Sequence, residues 1–270
     1  MGEQLPADLA EALSQAGSRL GGRVVLRHFA DVDSTNEIAL KLASTGAPEG
    51  TVVLADSQHA GRGRRGRVWF SPPGAGLYVS CVVRGAGLPS TLGVVTLAAG
   101  VAAARAVARI AALPVELKWP NDLVIGRPWR KLGGILCESI AVGASLDAVV
   151  VGIGINLREA AYPGELAGVA TSIEVELGRP IERAPLAIEC VAQLFECVDR
   201  LRSGQAQAVL TEWRRLGRAG LENAAVRWHD QDGERRGRAR DIAEDGALIV
   251  DAAGVAERIV AGEVTWERST

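Results

Sequence analysis

Between two β-branched runs, TVVLAD (51–56) and LYVSCVV (77–83), residues 57–75 have no hydrophobic period, hold six glycines or prolines, and contain GRGRRGR at 61–67. Gly61, Gly63 and Gly66 reproduce the G-x-G-x-x-G spacing, which in dinucleotide-binding folds opens straight into a helix whose N-terminus meets a pyrophosphate. Here RVWFSPPG follows, and Pro72-Pro73 forbid that helix. The chain is therefore no doubly wound dinucleotide fold. It carries a long connection inside a sheet, and such connections are usually functional.

The flanking pattern gives the rest of the architecture. Residues 5–16 form a short amphipathic helix from Leu5, Leu9 and Leu13. GRVVLRHF (22–29) and TVVLAD read as strands, with a helix from Ser34 to Ala43 between them whose STNE start (34–37) fits a capping box. Residues 91–112 are an Ala/Val/Leu helix. VELKW, LVI, KLGGILCESI and SLDAVVVGIGINL follow as mostly antiparallel strands, the last two joined by a turn at Val142–Ala144. Residues 182–202 and 204–216 close an α+β domain with helices over a mixed sheet. GRAGLEN (217–223) is the expected linker. Beyond it, AAVRWH, ERRGRARDIA, GALIVDA and VAERIV alternate as strands, with Asp232-Gly233 and Asp245-Gly246 as hairpin turns, which suggests a small barrel.

Charge and cysteine usage narrow the classes. Thirty basic against 32 acidic side chains leave a net charge of −2, so no global field drives the chain onto nucleic acid or an anionic membrane. The longest apolar run, Leu92 to Ala104, is shorter than the roughly 20 residues of a membrane span and reads as a buried helix. The N-terminus lacks a secretory pattern, which gives a cytoplasmic expectation. The four cysteines show no CxxC spacing and are expected as buried thiols. His28, His59 and His229 are isolated, so no protein-ligated metal is expected.

Only three of the 30 basic residues are lysine: Lys41, Lys118 and Lys131. Two of them flank one motif, KWPND (118–122) followed by RKLGGIL (130–136). Turn chemistry accounts for Pro120, Asn121 and Asp122. Lys131, beside Gly133-Gly134, is either a phosphate or carboxylate ligand or a surface lysine at a strand end. Arg62, Arg64, Arg65 and Arg67, interleaved with glycine, suit an anion, though a solvated basic loop has the same composition. Trp69 either packs over an apolar ligand or anchors the loop. GIGIN (152–156) leaves a flat strand surface for a ring, or is merely a glycine-weakened strand ending at Asn156. Ser34 caps a helix or, with Thr35 and Asn36, lines a pocket.

Taken in order, DSTN (33–36), QHAGRGRRGRVWFSP (58–72), KWPNDL…RKLGGIL (118–136) and GIGINL (152–157) resemble the biotin protein ligases. These enzymes activate biotin with ATP and attach it to a carboxylase carrier domain. The resemblance implies a catalytic domain like that of the class II aminoacyl-tRNA synthetases over residues 23–218, after a helical extension (1–22) and before an SH3-like barrel (221–270). It implies that Ser34, Thr35, Asn36, Gln58, Gly133 and Gly134 contact biotin. Gly61, Arg62, Gly63, Arg64, Arg65 and Gly66 would form a loop closing over biotin and the adenylate. Lys131, Arg62 and Arg64 would be catalytic, acting on the reacting carboxyl and phosphate. Arg64, Arg65, Trp69, Asn121, Asp122 and Asn156 would meet the nucleotide, with Mg2+ arriving on ATP. A biotin carboxyl carrier protein is the implied partner, and a homodimer through a sheet edge is compatible.

Only about 22 residues precede the first strand, too few for the winged helix-turn-helix of some members, so no operator binding is expected. A lipoate or octanoate ligase on the same scaffold is the competing enzyme. An RNA-binding reading of GRGRRGR and RRGRAR is opposed by the near-neutral charge and 4% aromatics.

Overall fold

The computed structural model describes residues 5–266 apart from 21, 90, 144, 161, 165, 231, 232, 261 and 263. The chain opens with helices α1 (Ala7–Gln15) and α2 (Gly17–Leu20), then strand β1 (Val25–Val32), helix α3 (Thr35–Ser44) and strand β2 (Thr51–Gln58). After the loop come β3 (Gly76–Arg84), α4 (Leu92–Ala111), β4 (Glu116–Lys118), β5 (Asp122–Ile125), β6 (Arg130–Val142) and β7 (Ser145–Asn156). Helices α5 (Ile173–Leu177), α6 (Arg183–Arg202), α7 (Ala206–Leu216) and α8 (Arg218–Leu221) follow. The C-terminal strands are β8 (Ala225–Asp230), β9 (Gly233–Ile242), β10 (Leu248–Ala252), β11 (Val255–Ile259) and β12 (Val264–Trp266).

Seven strands form one mixed sheet in the order β1-β2-β3-β7-β6-β5-β4, with β1 and β2 parallel and the other pairs antiparallel. The parallel pair requires a crossover, which α3 supplies. Strands β2 and β3 are almost wholly buried because both their faces are covered. On one face lie α4 and α6. Helix α4 is long and apolar enough to cross a membrane by composition, yet most of that stretch is buried. Its alanines, Ala98, Ala99, Ala102, Ala103 and Ala106, allow close helix approach, while Leu97, Val101 and Val107 are fully buried and each contributes roughly 1.5–3 kcal/mol. On the other face α3 packs Ala39 and Ala43 against Val53, Val82, Ala148 and Val150. Beside α3 the glycine-bearing stretch of β6 and β7 becomes the floor of a cleft.

The remaining strands form an antiparallel sheet in the order β11-β10-β9-β8-β12. It is tied to the first sheet's layer by Trp119, whose Nε1 donates to the Gly246 carbonyl at 2.9 Å, and by Arg214, which donates to Asp241 at 2.6 Å and the Ile242 carbonyl at 2.5 Å. The arginine run of β9 is neutralised locally. Arg235 pairs with Asp230 and Glu257, Arg236 with Glu234, and Arg240 with Asp251, while Arg238 donates to the Asn223 carbonyl.

Local expectations differ in several places. The Ser34 side chain makes no capping bond; it is buried instead, so the capping box does not form. The expected linker holds α8, and α5 was not foreseen. Asp245 and Gly246 sit in a longer connection, residues 243–247, in which the Asp245 carboxylate accepts from Ala247 N–H. That connection does turn the β9–β10 hairpin as expected, and a tighter two-residue hairpin, not foreseen, lies at Ala253-Gly254, where both φ values are positive, +54° and +86°. Asp232 and Ala144, expected in turns, lie outside the described residues.

Candidate active site

The cleft, about 1200 Å³, is lined by residues of β2, β6, β7, the start of α3, the 62–70 loop, the 118–122 turn and β12. Its floor exists because two strand positions lack a Cβ. A Cβ on Gly154 would lie 2.7 Å from the Trp69 ring, and one on Gly152 would lie 2.1 Å from Asn36 Oδ1. Gly134, opposite Gly154 in the register, also faces the indole. The flat surface of GIGIN thus receives a ring from this chain itself, and Trp69 anchors the loop. The Lys131 ammonium stands 5.4 Å above that ring.

One end of the cleft is a neutral hydrogen-bonding cradle. Gln58 Oε1 accepts from Thr35 N–H at 2.9 Å and lies 3.2 Å from Thr35 Oγ1, while Gln58 Nε2 donates to Ser71 Oγ at 2.8 Å. Ser80, fully buried on β3, places its hydroxyl 2.8 Å from Thr35 Oγ1 and 2.6 Å from Asn36 Oδ1. Asn36 Nδ2 donates to Glu138 at 2.9 Å and to the Leu136 carbonyl at 3.2 Å. Ser71, Ser80 and Glu138 were not singled out from sequence. A lone serine inside the apolar run LYVSCVV was the available signal for Ser80.

The other end is cationic. Residues 61–69 are a small hairpin and not an open loop: Gly63 N–H donates to the Arg67 carbonyl, Trp69 N–H to the Gly61 carbonyl, and Arg65 and Gly66 turn the tip with φ of +56° and +73°. Arg62 pairs with Glu138 at 2.6 Å, and Arg64 reaches Asn121 Oδ1 at 3.4 Å. Lys131 pairs with Asp122 at 2.5 Å. Burial, followed by the charge of Arg65, pushes the Arg64 guanidinium below its ordinary value. Burial also lowers Lys118, opposed by Asp122 and reinforced by Lys131 and Arg67. Burial thus works against the charge of both cations.

The cleft brings together Ser34, Thr35, Asn36, Gln58, Arg62, Gly63, Arg64, Arg65, Trp69, Asn121, Asp122, Lys131, Gly134 and Asn156. Gly61, Gly66 and Gly133 are not among its lining residues. Gly61 has no room for a side chain because the Trp69 carbonyl would lie 2.3 Å from its Cβ, and Gly133 is packed against the Gly154 carbonyl. Gly66 serves the hairpin tip. Asn156 donates to the Thr171 carbonyl at 2.9 Å, and so holds the 169–171 segment against Lys131, whose N–H donates to the Val169 carbonyl. Lys118 lines the cleft and joins the cationic group, which the sequence reading left unassigned. Among the described residues no three His, Cys, Asp or Glu side chains gather as metal ligands.

The profile of the Biotin/lipoate A/B protein ligase family matches residues 29–156, and that of the Biotin protein ligase C terminal domain matches residues 224–265. The fold is that of the biotin/lipoate ligase class. The Biotin--[acetyl-CoA-carboxylase] ligase of Mycobacterium tuberculosis is 34% identical over 267 residues, covering 96% of this chain and 94% of that protein. With the Bifunctional ligase/repressor BirA of Bacillus spizizenii the identity is 38% over 167 residues, 61% of this chain and 50% of the relative. The chain thus spans about half the length of that relative, and 59% of its Bacillus subtilis counterpart. The structure of the biotin protein ligase from Aquifex aeolicus in complex with biotin and ATP matches with a TM-score of 0.77 at 27% identity, covering 90% of this chain and 99% of that one. Within the class, this chain belongs to the biotin protein ligases.

Proposed function

We propose that the chain activates biotin with ATP, releasing pyrophosphate, and transfers the biotinyl group from the adenylate to a lysine of a biotin carboxyl carrier protein. The observation that carries the reading is the juxtaposition, in one cleft, of a buried neutral cradle with a cluster of arginines and lysines. The cradle's amides and hydroxyls suit an uncharged ureido ring. The cationic end suits the two anions that must meet, the biotin carboxylate and the α-phosphate of ATP.

Attack of the carboxylate oxygen on the α-phosphorus forms the mixed anhydride and expels pyrophosphate. Arg62, Arg64 and Lys131 offset the charge that develops on the phosphoryl and carboxyl oxygens. In the second half-reaction the carrier amine attacks the anhydride carbonyl, AMP leaves, and the amine loses its proton. The hairpin 61–69 limits water at the anhydride. Trp69, seated on Gly134 and Gly154, forms the floor at the join between the two ligand ends. Mg2+ enters this reading as the counter-ion of the triphosphate, with Asp122 as the carboxylate nearest Lys131. The proposal extends to the division into residues 23–218 and 221–270, a cytoplasmic setting, and a homodimer.

The test is pyrophosphate release with Mg-ATP and biotin, lipoate, octanoate or no acid. Release dependent on biotin is expected; release with lipoate or octanoate alone would move the chain to the sister activity. Lys131→Ala is expected to lower adenylate formation by about 100-fold, the scale of losing one electrostatic stabiliser, with an unchanged melting transition. Near-wild-type turnover would remove its role.

A further inference from the structure

The hairpin meets the sheet at a residue that the activation chemistry does not use. Glu138 lies on β6, is 22% exposed, and is absent from the main cleft's lining. One of its oxygens accepts from Arg62 at 2.6 Å, and the other accepts from Asn36 Nδ2 at 2.9 Å. Asn36 is itself buried and held at its other end by Ser80 at 2.6 Å. A single carboxylate therefore spans the hairpin and the neutral cradle. Elsewhere at this point the hairpin stands off the sheet over a second hollow of about 330 Å³, walled by residues 60–68, Leu136 and Glu138.

We propose that Glu138 is a positioning residue that latches the arginine hairpin to the cradle, so that retention of the acyl-adenylate depends on a carboxylate that touches neither ligand. The physical basis is preorganisation. Asn36 fixes one oxygen and thereby the side-chain rotamer, so the charge-assisted bond to Arg62 forms without the ordering cost of a free glutamate. The arrangement also makes the hairpin sensitive to the cradle: a ligand that orders Asn36 orders the carboxylate behind it. The inference rests on the adenylation reading for its consequence, but the latch itself is a set of contacts within this chain.

Hydrogen–deuterium exchange of the unliganded protein tests it directly. In Glu138→Gln the amide oxygen can still accept from Asn36 while the charge is gone. Residues 61–67 are expected to exchange about fivefold faster, the scale of one partly exposed ion pair, with β1 and β2 unchanged. Arg62→Gln, which removes the same charge pair from the hairpin side, is expected to speed hairpin exchange by a similar factor, and Arg62→Gln combined with Glu138→Gln to add nothing further, since both remove one interaction. With biotin and Mg-ATP but no acceptor, Glu138→Gln is expected to release AMP about fivefold faster while the KM for biotin stays near wild type. Unchanged hairpin exchange in Glu138→Gln, or an equal rise across the whole sheet, would overturn the latch. If the wild type released no pyrophosphate with biotin, the proposed reaction would fall while the exchange comparison still judged Glu138.

Discussion

At the scale of single residues, the cleft is governed by what two glycines omit. Gly152 and Gly154 alternate along β7 and point to the same face, one making room for the Asn36 amide and the other for the Trp69 indole. Gly154→Ala would force the ring off the strand, because the new methyl would sit 2.7 Å from a rigid indole. Overpacking of this kind costs about 1–3 kcal/mol. The expected result is a folded protein with a melting point lowered by a few degrees and pyrophosphate release reduced by about tenfold or more, the effect of a displaced positioning group. Gly164→Ala is the control, since no heavy atom lies within 4 Å of the Cβ it would add. A Gly154→Ala enzyme with normal turnover would mean that the seat of Trp69 is irrelevant to the chemistry. The four thiols bear no such role. Burial pushes the Cys81 thiol up to about 12, far from the thiolate form at neutral pH, whereas Cys137, expected to be buried like the other three, is only partly buried on β6.

Elements are held to one another by ion pairs whose pH response has a definite sign. Glu49, in the turn between α3 and β2, accepts from Arg202 at the end of α6 at 2.9 and 2.5 Å. Those bonds hold its carboxyl below the ordinary 4.5, against the opposing effect of burial. Asp199 on α6 is likewise held down by Arg23, ahead of β1. For a depressed carboxyl the contribution to stability is complete above the unfolded-state value and is lost as pH falls through the folded-state value. Stability measured by urea titration is therefore expected to fall as the pH drops below about 4.5, and Glu49→Gln is expected to be less stable at neutral pH with a shallower acid slope. Equal slopes would show that the pair contributes nothing.

These elements also show what a sequence discloses. Strands such as TVVLAD and LYVSCVV, and the alanine helix α4, were legible because their signal is local: a short β-branched apolar run for each strand and a long Ala/Val/Leu run for the helix. The hairpin 61–69 was not, because arginine and glycine carry no hydrophobic period and its ladder depends on Gly61 fitting against Trp69. Lys131 stood out through the scarcity of lysine. Glu138 did not, since its meaning comes from a register that brings β6 beside Arg62 and Asn36, residues 76 and 102 positions away.

For the whole molecule, the question is how the C-terminal sheet is seated beside the cleft it helps to wall. Trp119 is the joint. It is 3% exposed, lies next to Lys118 of the cationic group, and donates its indole N–H to the Gly246 carbonyl at 2.9 Å. The same connection rests on α4, where a Cβ on Gly93 would lie 2.9 Å from the Asp245 carbonyl. Trp119→Phe preserves an aromatic ring but leaves a buried carbonyl without its donor, at a cost of about 1–3 kcal/mol. Because Val264 and Trp266 of β12 line the cleft, loosening this joint is expected to lower pyrophosphate release as well as stability. Arg240→Ala, which removes an exposed pair with Asp251 on the C-terminal sheet, is expected to change stability by less than about 1 kcal/mol and leave turnover alone. Chemical denaturation and turnover measured on both variants separate the two cases. If Trp119→Phe behaved like Arg240→Ala, the C-terminal sheet would be a passive neighbour of the cleft and not one of its walls.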